Sequence, residues 1–310
     1  MNWSGVMPAT TTPFDRQMAV DHKFLAQHVT WLLDNGCTGL VMLGSLGEGA
    51  TLSVPEKIAV LETAVRATGK RGPVIAAISS LSTGGAVDLA QAAKNAGCSG
   101  LMVLPPYVYT SDWREMKQHV STVIASTSLP CMLYNNPVAY KTDFVPQQIA
   151  ELAAEHPNLE AVKESSSDVR RVAGIIELLA DRLQIMVGVD DVLVESVAAG
   201  ASGWVAGLVN AFPAESVALF SLASTHKLKE AFELYRWFLP LLRMDTVPKF
   251  VQLIKWVQEQ VGAGSARVRA PRLELAGEEL AQAQRELTTA LKNHPAVRST
   301  PFPALVNAQS

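Results

Sequence analysis

Four side chains in this sequence combine a reactive group with a place at or just past the end of a short apolar run: Ser45, Tyr107, Tyr134 and Lys163. Lys163 says the most. Leu159 to Val162 reads as a buried strand, and a side-chain period of two puts Lys163 on the face of Ala161 and Leu159, which is otherwise apolar. A lysine that ends such a face is either an ion-paired structural residue or an amine kept neutral by desolvation. Desolvation lowers an amine's pKa and makes it nucleophilic. Ser45 lies in the turn Gly44-Ser-Leu-Gly-Glu-Gly49, which reads alone as a tight turn and in company as a carboxylate cradle of backbone N–H groups. Tyr134 has the plain reading of a core aromatic, and Tyr107, after two prolines, that of loop surface. Taken together, an amine to attack, a phenol to relay protons and amides to bind an anion suit covalent carbonyl chemistry.

These residues need a scaffold that brings distant strand ends together. Strand-like runs cover 5–12, 39–43, 73–79, 100–104, 130–133, 159–162, 184–187 and 203–208. Helical patterns alternate with them, at 20–34, from Pro55 to 68, 83–96, about 111–125, 146–155, 169–180, a short stretch to 199, and 213–224. Asn35-Gly36, Gly69 and Gly97 supply stop signals. Eight βα units predict a (β/α)8 TIM barrel, whose active site lies at the C-terminal ends of the strands. Three further helical stretches, 227–243, 247–261 and 278–291, have no strands between them. The expected organisation is a catalytic barrel over 1–225, a helical extension packed on its flank over 226–293, and a loose tail over 294–310 with Pro295, Pro301 and Pro303.

Composition narrows the class. Of 310 residues, 48% are hydrophobic and 18% charged, which allows a sizeable core. A net charge of −3 without a basic stripe argues against nucleic acid. Cys37, Cys98 and Cys131 fit no disulfide framework and read as buried thiols. No run is long enough to cross a bilayer and no signal peptide opens the chain, so a cytoplasmic protein is expected. The six histidines are scattered and form no ligand pattern, so neither a metal nor any other cofactor is expected. Asp190-Asp191 reads as a cap for the next helix, while Glu48 and Glu164 read as partners for basic residues.

Several separated motifs, in order, carry a family resemblance over roughly residues 4 to 290. They are Gly44-Ser-Leu-Gly-Glu48, Tyr134-Asn-Asn-Pro137, Val162-Lys-Glu164, Gly188-Val-Asp-Asp191 and Gly203-Trp-Val-Ala-Gly207, with Asn210 and Pro213. With these the chain resembles the dihydrodipicolinate synthase / N-acetylneuraminate lyase family of Schiff-base-forming barrels. The resemblance implies that Lys163 forms an imine with a 2-oxoacid and Tyr134 shuttles protons, with Ser45 and a Tyr107 from a neighbouring subunit completing the relay. It further implies substrate contacts at Ser45, Leu46, Gly188 and Val205, and a homotetramer built as a dimer of dimers.

Two departures bear on substrate. The turn has Leu46 after Ser45, where the family usually has a second hydroxyl residue. Two residues past Pro137, where dihydrodipicolinate synthases carry an arginine for the second substrate's carboxylate, this chain has Ala139. Guanidinium–carboxylate pairing is hard to replace, so condensation with aspartate semialdehyde is poorly supported. The motif combination, with Tyr235-Arg-Trp-Phe238, looks most like the bacterial 1-pyrroline-4-hydroxy-2-carboxylate deaminases of hydroxyproline breakdown. These open a cyclic imine acid to 2,5-dioxopentanoate and ammonia. Three alternatives remain: a 2-keto-3-deoxy sugar acid aldolase or dehydratase, dihydrodipicolinate synthase itself, and a non-catalytic barrel that binds a small oxoacid.

Overall fold

The computed structural model describes residues 1–107 and 109–303. Eight strands form one parallel sheet: β1 (Gly5–Pro8), β2 (Leu40–Met42), β3 (Val74–Ile78), β4 (Gly100–Val103), β5 (Cys131–Asn135), β6 (Leu159–Glu164), β7 (Gln184–Val187) and β8 (Gly203–Ala206). The hydrogen-bonded order runs β1-β8-β7-β6-β5-β4-β3-β2. A bridge between Ala9 and Val41 brings the two ends together, so the expected (β/α)8 barrel is the fold observed. Each strand is nearly all buried, as a parallel sheet covered by helices requires.

Between the strands run α1 (His22–Asp34), α2 (Val54–Thr68), α3 (Thr83–Asn95), α4 (Trp113–Ala125), α5 (Pro137–Tyr140), α6 (Pro146–Glu155), α7 (Arg170–Leu179), α8 (Leu193–Ala198) and α9 (Pro213–Ser224). Their starts are built locally. Ser53 and Asp112 open α2 and α4 with reciprocal capping boxes to Glu56 and Glu115. The unexpected helix is α5. The Asn136 side chain accepts from the Ala139 N–H and Pro137 fills the first turn, so a stretch between the expected elements winds into four helical residues.

Past the barrel come α10 (Leu228–Leu242), α11 (Phe250–Gln260) and α12 (Gly277–Lys292). They do more than cover a flank. A short 3-10 turn at Arg243–Asp245 and the head of α11 reach the strand ends that carry the reactive residues. Lys255 of α11 is inserted behind the first turn of the barrel, where its amine meets Glu48 at 2.7 Å and the Thr12 carbonyl at 3.0 Å.

The tail corrects an expectation. Residues 294–303, expected to be loose, are docked. His294 pairs with Glu215 at 2.8 Å, and the Thr300 carbonyl accepts from Trp31 Nε1 at 2.7 Å. Phe302 stacks on Phe24 and lies edge-on to Trp31. The remaining seven positions of the expected tail lie outside the described residues.

Candidate active site

One cavity of about 560 Å³ opens at the C-terminal ends of the strands. Its lining includes Ser45, Leu46, Tyr134, Lys163, Gly188 and Val205, together with this chain's own Tyr107, where the expected Tyr107 was that of a neighbouring subunit. The barrel thus brings together groups separated by up to 160 positions in the chain.

Lys163 is buried among them. It pairs with Tyr134 on β5 and Met186 on β7, and only 6% of its surface is exposed. Gly188 makes room for it: a Cβ there would sit 2.8 Å from Lys163 Cε and 1.9 Å from Ser165 Oγ. Among the described residues no carboxylate comes within 4.0 Å of the amine, which lies 4.4 Å from the centroid of the Tyr134 ring. Burial lowers its pKa to about 8, partly offset by the neighbouring carboxyl groups of Asp245 and Asp190. At pH 7 an amine of that pKa is neutral in roughly one molecule in ten, against roughly one in three thousand at the usual lysine value. The strand-end lysine is therefore desolvated rather than ion-paired.

Tyr134 presents its hydroxyl to the Asn136 amide, which donates to it at 3.0 Å. Burial raises its pKa to about 12, so it holds its proton at neutral pH. Ser45 is bonded to the hydroxyl of Tyr140, at the end of α5. Tyr140 stands edge-on to Tyr134, with centroids 5.6 Å apart, and is tilted against Tyr107 at 5.8 Å. The Tyr107 hydroxyl accepts from Ser79 at 3.1 Å. Within one chain, then, the partner of Ser45 is Tyr140 and not Tyr107. Sequence reasoning assigns Tyr140 no role. Its signal was the Asn-Pro pair that starts α5 and turns the third tyrosine back over the cavity.

The glycine-rich turn is held from below. Leu43 and Glu48 both adopt left-handed backbone conformations (φ 67° and 53°), which end β2 and fold the chain back on itself. Thr12 donates to the Gly47 carbonyl at 2.6 Å. The buried Glu48 carboxylate takes Lys255 on one oxygen and the Arg269 N–H, at 2.9 Å, on the other. Glu48 thus has the basic partner expected of it. Among the described residues Glu164 has no basic partner within 4.0 Å: it accepts from Asn135 at 3.0 Å and from the Ser166 N–H at 2.6 Å.

Asp190 corrects another expectation. Its buried carboxylate leaves α8 without a side-chain cap. It bonds instead to Trp204 Nε1 at 2.9 Å and to the N–H groups of Gly207 and Leu208 at 3.1 and 3.0 Å. It therefore caps the 3-10 turn after β8 and ties the ends of β7 and β8 together. Asp245, which sequence reasoning passed over, lines the same cavity from the C-terminal extension. Burial raises its pKa well above the usual carboxylate value, and the neighbouring Asp190 charge adds to that.

Among the described residues no group of three or more His, Cys, Asp or Glu could hold a metal ion, and no helix is long and apolar enough to cross a membrane. What the cavity can do is form an imine at a neutral amine beside a protonated phenol.

The comparisons agree with this chemistry. A family model described as the dihydrodipicolinate synthetase family matches residues 2–290. A 4-hydroxy-tetrahydrodipicolinate synthase of Methanococcus aeolicus is 29% identical over 94% of this chain and 98% of its own. That of Bacillus subtilis is 36% identical over 66% of this chain and 70% of its own. Among solved structures, the 4-hydroxy-tetrahydrodipicolinate synthase of Methylacidiphilum fumariolicum superposes with a TM-score of 0.90 at 27% identity, covering 94% of this chain and 97% of that one. A chloride-inhibited dihydrodipicolinate synthase of Acinetobacter baumannii, complexed with pyruvate, gives 0.89 at 27%, covering 93% and 99%.

Proposed function

Because the chain belongs to the dihydrodipicolinate synthetase family and is a Schiff-base lyase of that class, we propose that Lys163 is its imine-forming amine and that its substrate carries a single carboxylate. The reading we favour is deamination of 1-pyrroline-4-hydroxy-2-carboxylate. Lys163 adds to the ring C=N carbon, and the ring nitrogen leaves as an amine, opening the ring. The proton on carbon 3 is then lost, with Tyr134 as the relay, to give an enamine. That enamine expels the 4-hydroxyl as water. Tautomerisation and two hydrolyses release ammonia and 2,5-dioxopentanoate, with one water consumed overall. The N–H groups around Ser45 and Leu46 hold the carboxylate, and Ser45 and Tyr140 carry protons toward Tyr134. Gly188 and Val205 shape the floor. A tetramer in which Tyr107 crosses an interface remains part of the proposal.

The observation that carries this reading is the wall at position 139. Ala139 and Val138 line the cavity there and supply no cation for a second carboxylate. Arg272, which also lines the cavity, lies 3.9 Å from Glu48. The second reading is 4-hydroxy-tetrahydrodipicolinate synthesis, and the relatives' names favour it. One side-by-side assay separates the two. Ammonia released from the pyrroline, with little condensation of pyruvate and aspartate semialdehyde, is the expected result. Efficient condensation without ammonia would establish the second reading.

A further inference from the structure

We propose that Asp245 is a catalytic acid of this site, contributed by the C-terminal extension, which protonates the hydroxyl leaving the carbon β to the imine. Three observations place it there. It lines the cavity shared by Lys163 and Tyr134. Its Oδ1 is buried and has no hydrogen-bond partner among the described residues. It also enters over a position that has no side chain, since a Cβ on Gly207 would lie 2.0 Å from Oδ1. Any other residue at 207 would push the carboxyl out of the site.

The neighbours decide which carboxyl keeps a proton. Gly207 is bracketed by two acids, Asp190 bonded to its N–H and Asp245 packed on its Cα. Two carboxyls so placed do not both ionise cheaply. Asp190 accepts from Trp204, Gly207 and Leu208, which favours its charged form. Asp245 has no comparable donors to Oδ1, so the proton stays on it. The other charged groups around it are Lys163 and Asp191, the latter paired at 3.8 Å with Arg243. A neutral carboxyl at a cavity wall can give a proton away.

The step balances. Once the carbon-3 proton is gone, the enamine pair forms the C3=C4 bond while the C4–O bond breaks. The departing oxygen takes the Asp245 proton and leaves as water. Asp245 is left as a carboxylate and is reprotonated from solvent before the next turnover. The inference rests on the proposed function in one respect, that the substrate has a leaving hydroxyl at that carbon.

The test uses the full-length protein and Asp245→Asn, which keeps the shape and removes the acid. Two activities are read. Exchange of pyruvate methyl protons in D2O, followed by NMR, reports imine and enamine formation with nothing to expel. Loss of hydroxyl is read as ammonia from 1-pyrroline-4-hydroxy-2-carboxylate and as dehydration of the linear 4-hydroxy-2-oxopentanoate. In D245N, exchange should stay within about threefold while hydroxyl loss falls by about 10²–10⁴-fold, the usual worth of a positioned acid. A parallel fall in both activities, or no fall in either, would overturn the role. If the unaltered protein dehydrates the linear acid but releases no ammonia from the pyrroline, only the pyrroline reading fails, and Asp245 is judged on the linear acid. Exchange by the unaltered protein with hydroxyl loss from neither substrate would overturn the inference as well.

Discussion

Among the described residues two lysines are buried, and they have different fates. Lys163 and Lys255 each lie 4.4 Å from the centroid of an aromatic ring, Tyr134 and Phe14 respectively, and burial lowers the pKa of each to about 8. What differs is the company. Lys255 is clamped by Glu48 at 2.7 Å and by a carbonyl at 3.0 Å, and it fastens α11 to the glycine-rich turn. Lys163 meets no carboxylate at that range among the described residues and lines an open cavity. Burial alone therefore does not make a nucleophile. A desolvated amine must also be left without a partner, beside a space that a carbonyl can enter.

The sharpest way to break this contrast is to remove each amine in turn. Lys163→Ala should leave a folded barrel with no measurable turnover, and borohydride reduction in the presence of pyruvate should add no mass to the chain. A reduced adduct found on Lys255 of the unaltered protein would invert the comparison. Lys255→Met should do the opposite. It takes the nearer of two cations, and the only one in hydrogen-bond contact, from the buried Glu48 carboxylate and should cost about 3 kcal/mol of stability, read by urea unfolding, while the folded fraction still forms the adduct at Lys163. Replacing Glu48 by Gln in the same chain should restore part of that loss, because no unpaired charge is then buried.

A gentler experiment compares the two amines in the intact protein. The folded-state pKa of Lys163 lies below the ordinary value, so its neutral fraction grows as pH rises, reaches one half at about 8 and is largely complete above about 9. With trace acetic anhydride and mass mapping, labelling at Lys163 should climb about tenfold per pH unit below the half-way point and then level off. Lys255 should resist the reagent at every pH at which the protein stays folded. Labelling of Lys163 that still rises above pH 9 would mean that it is an ordinary solvated amine.

The barrel and Lys163 were legible in the sequence for the same reason. Strands, helices and the face to which a strand residue belongs are periodic, local properties, and the eight alternations and the apolar company of Lys163 can be read without knowing any distant contact. The residues that sequence reasoning passes over depend on distant contacts. Asp245 sits in a 3-10 turn between two helices, and its reach into the cavity depends on the side chain missing at Gly207. Asp190 reads as a cap for its own helix because a sequence displays neighbours along the chain and hides those packed across it. The tail reads as loose because its prolines break helices, whereas Phe302 is fixed by aromatic rings nearly 280 positions earlier. Tyr140 falls between the two cases. Its Asn-Pro start was visible, but the direction of the short helix was not.

The clamp on Glu48 also sets an order in time. The turn that carries Ser45 is held by Lys255 and Arg269, 207 and 221 residues further along the chain. During synthesis Lys163, Tyr134 and all eight strands emerge before those two partners do. Contacts of such separation form late, because the intervening chain must be closed into a loop first. A nascent chain thus carries Lys163 for 106 further residues before Arg269 arrives to complete the clamp. The turn that carries Ser45 is therefore finished only once α11 and the segment after it are in place.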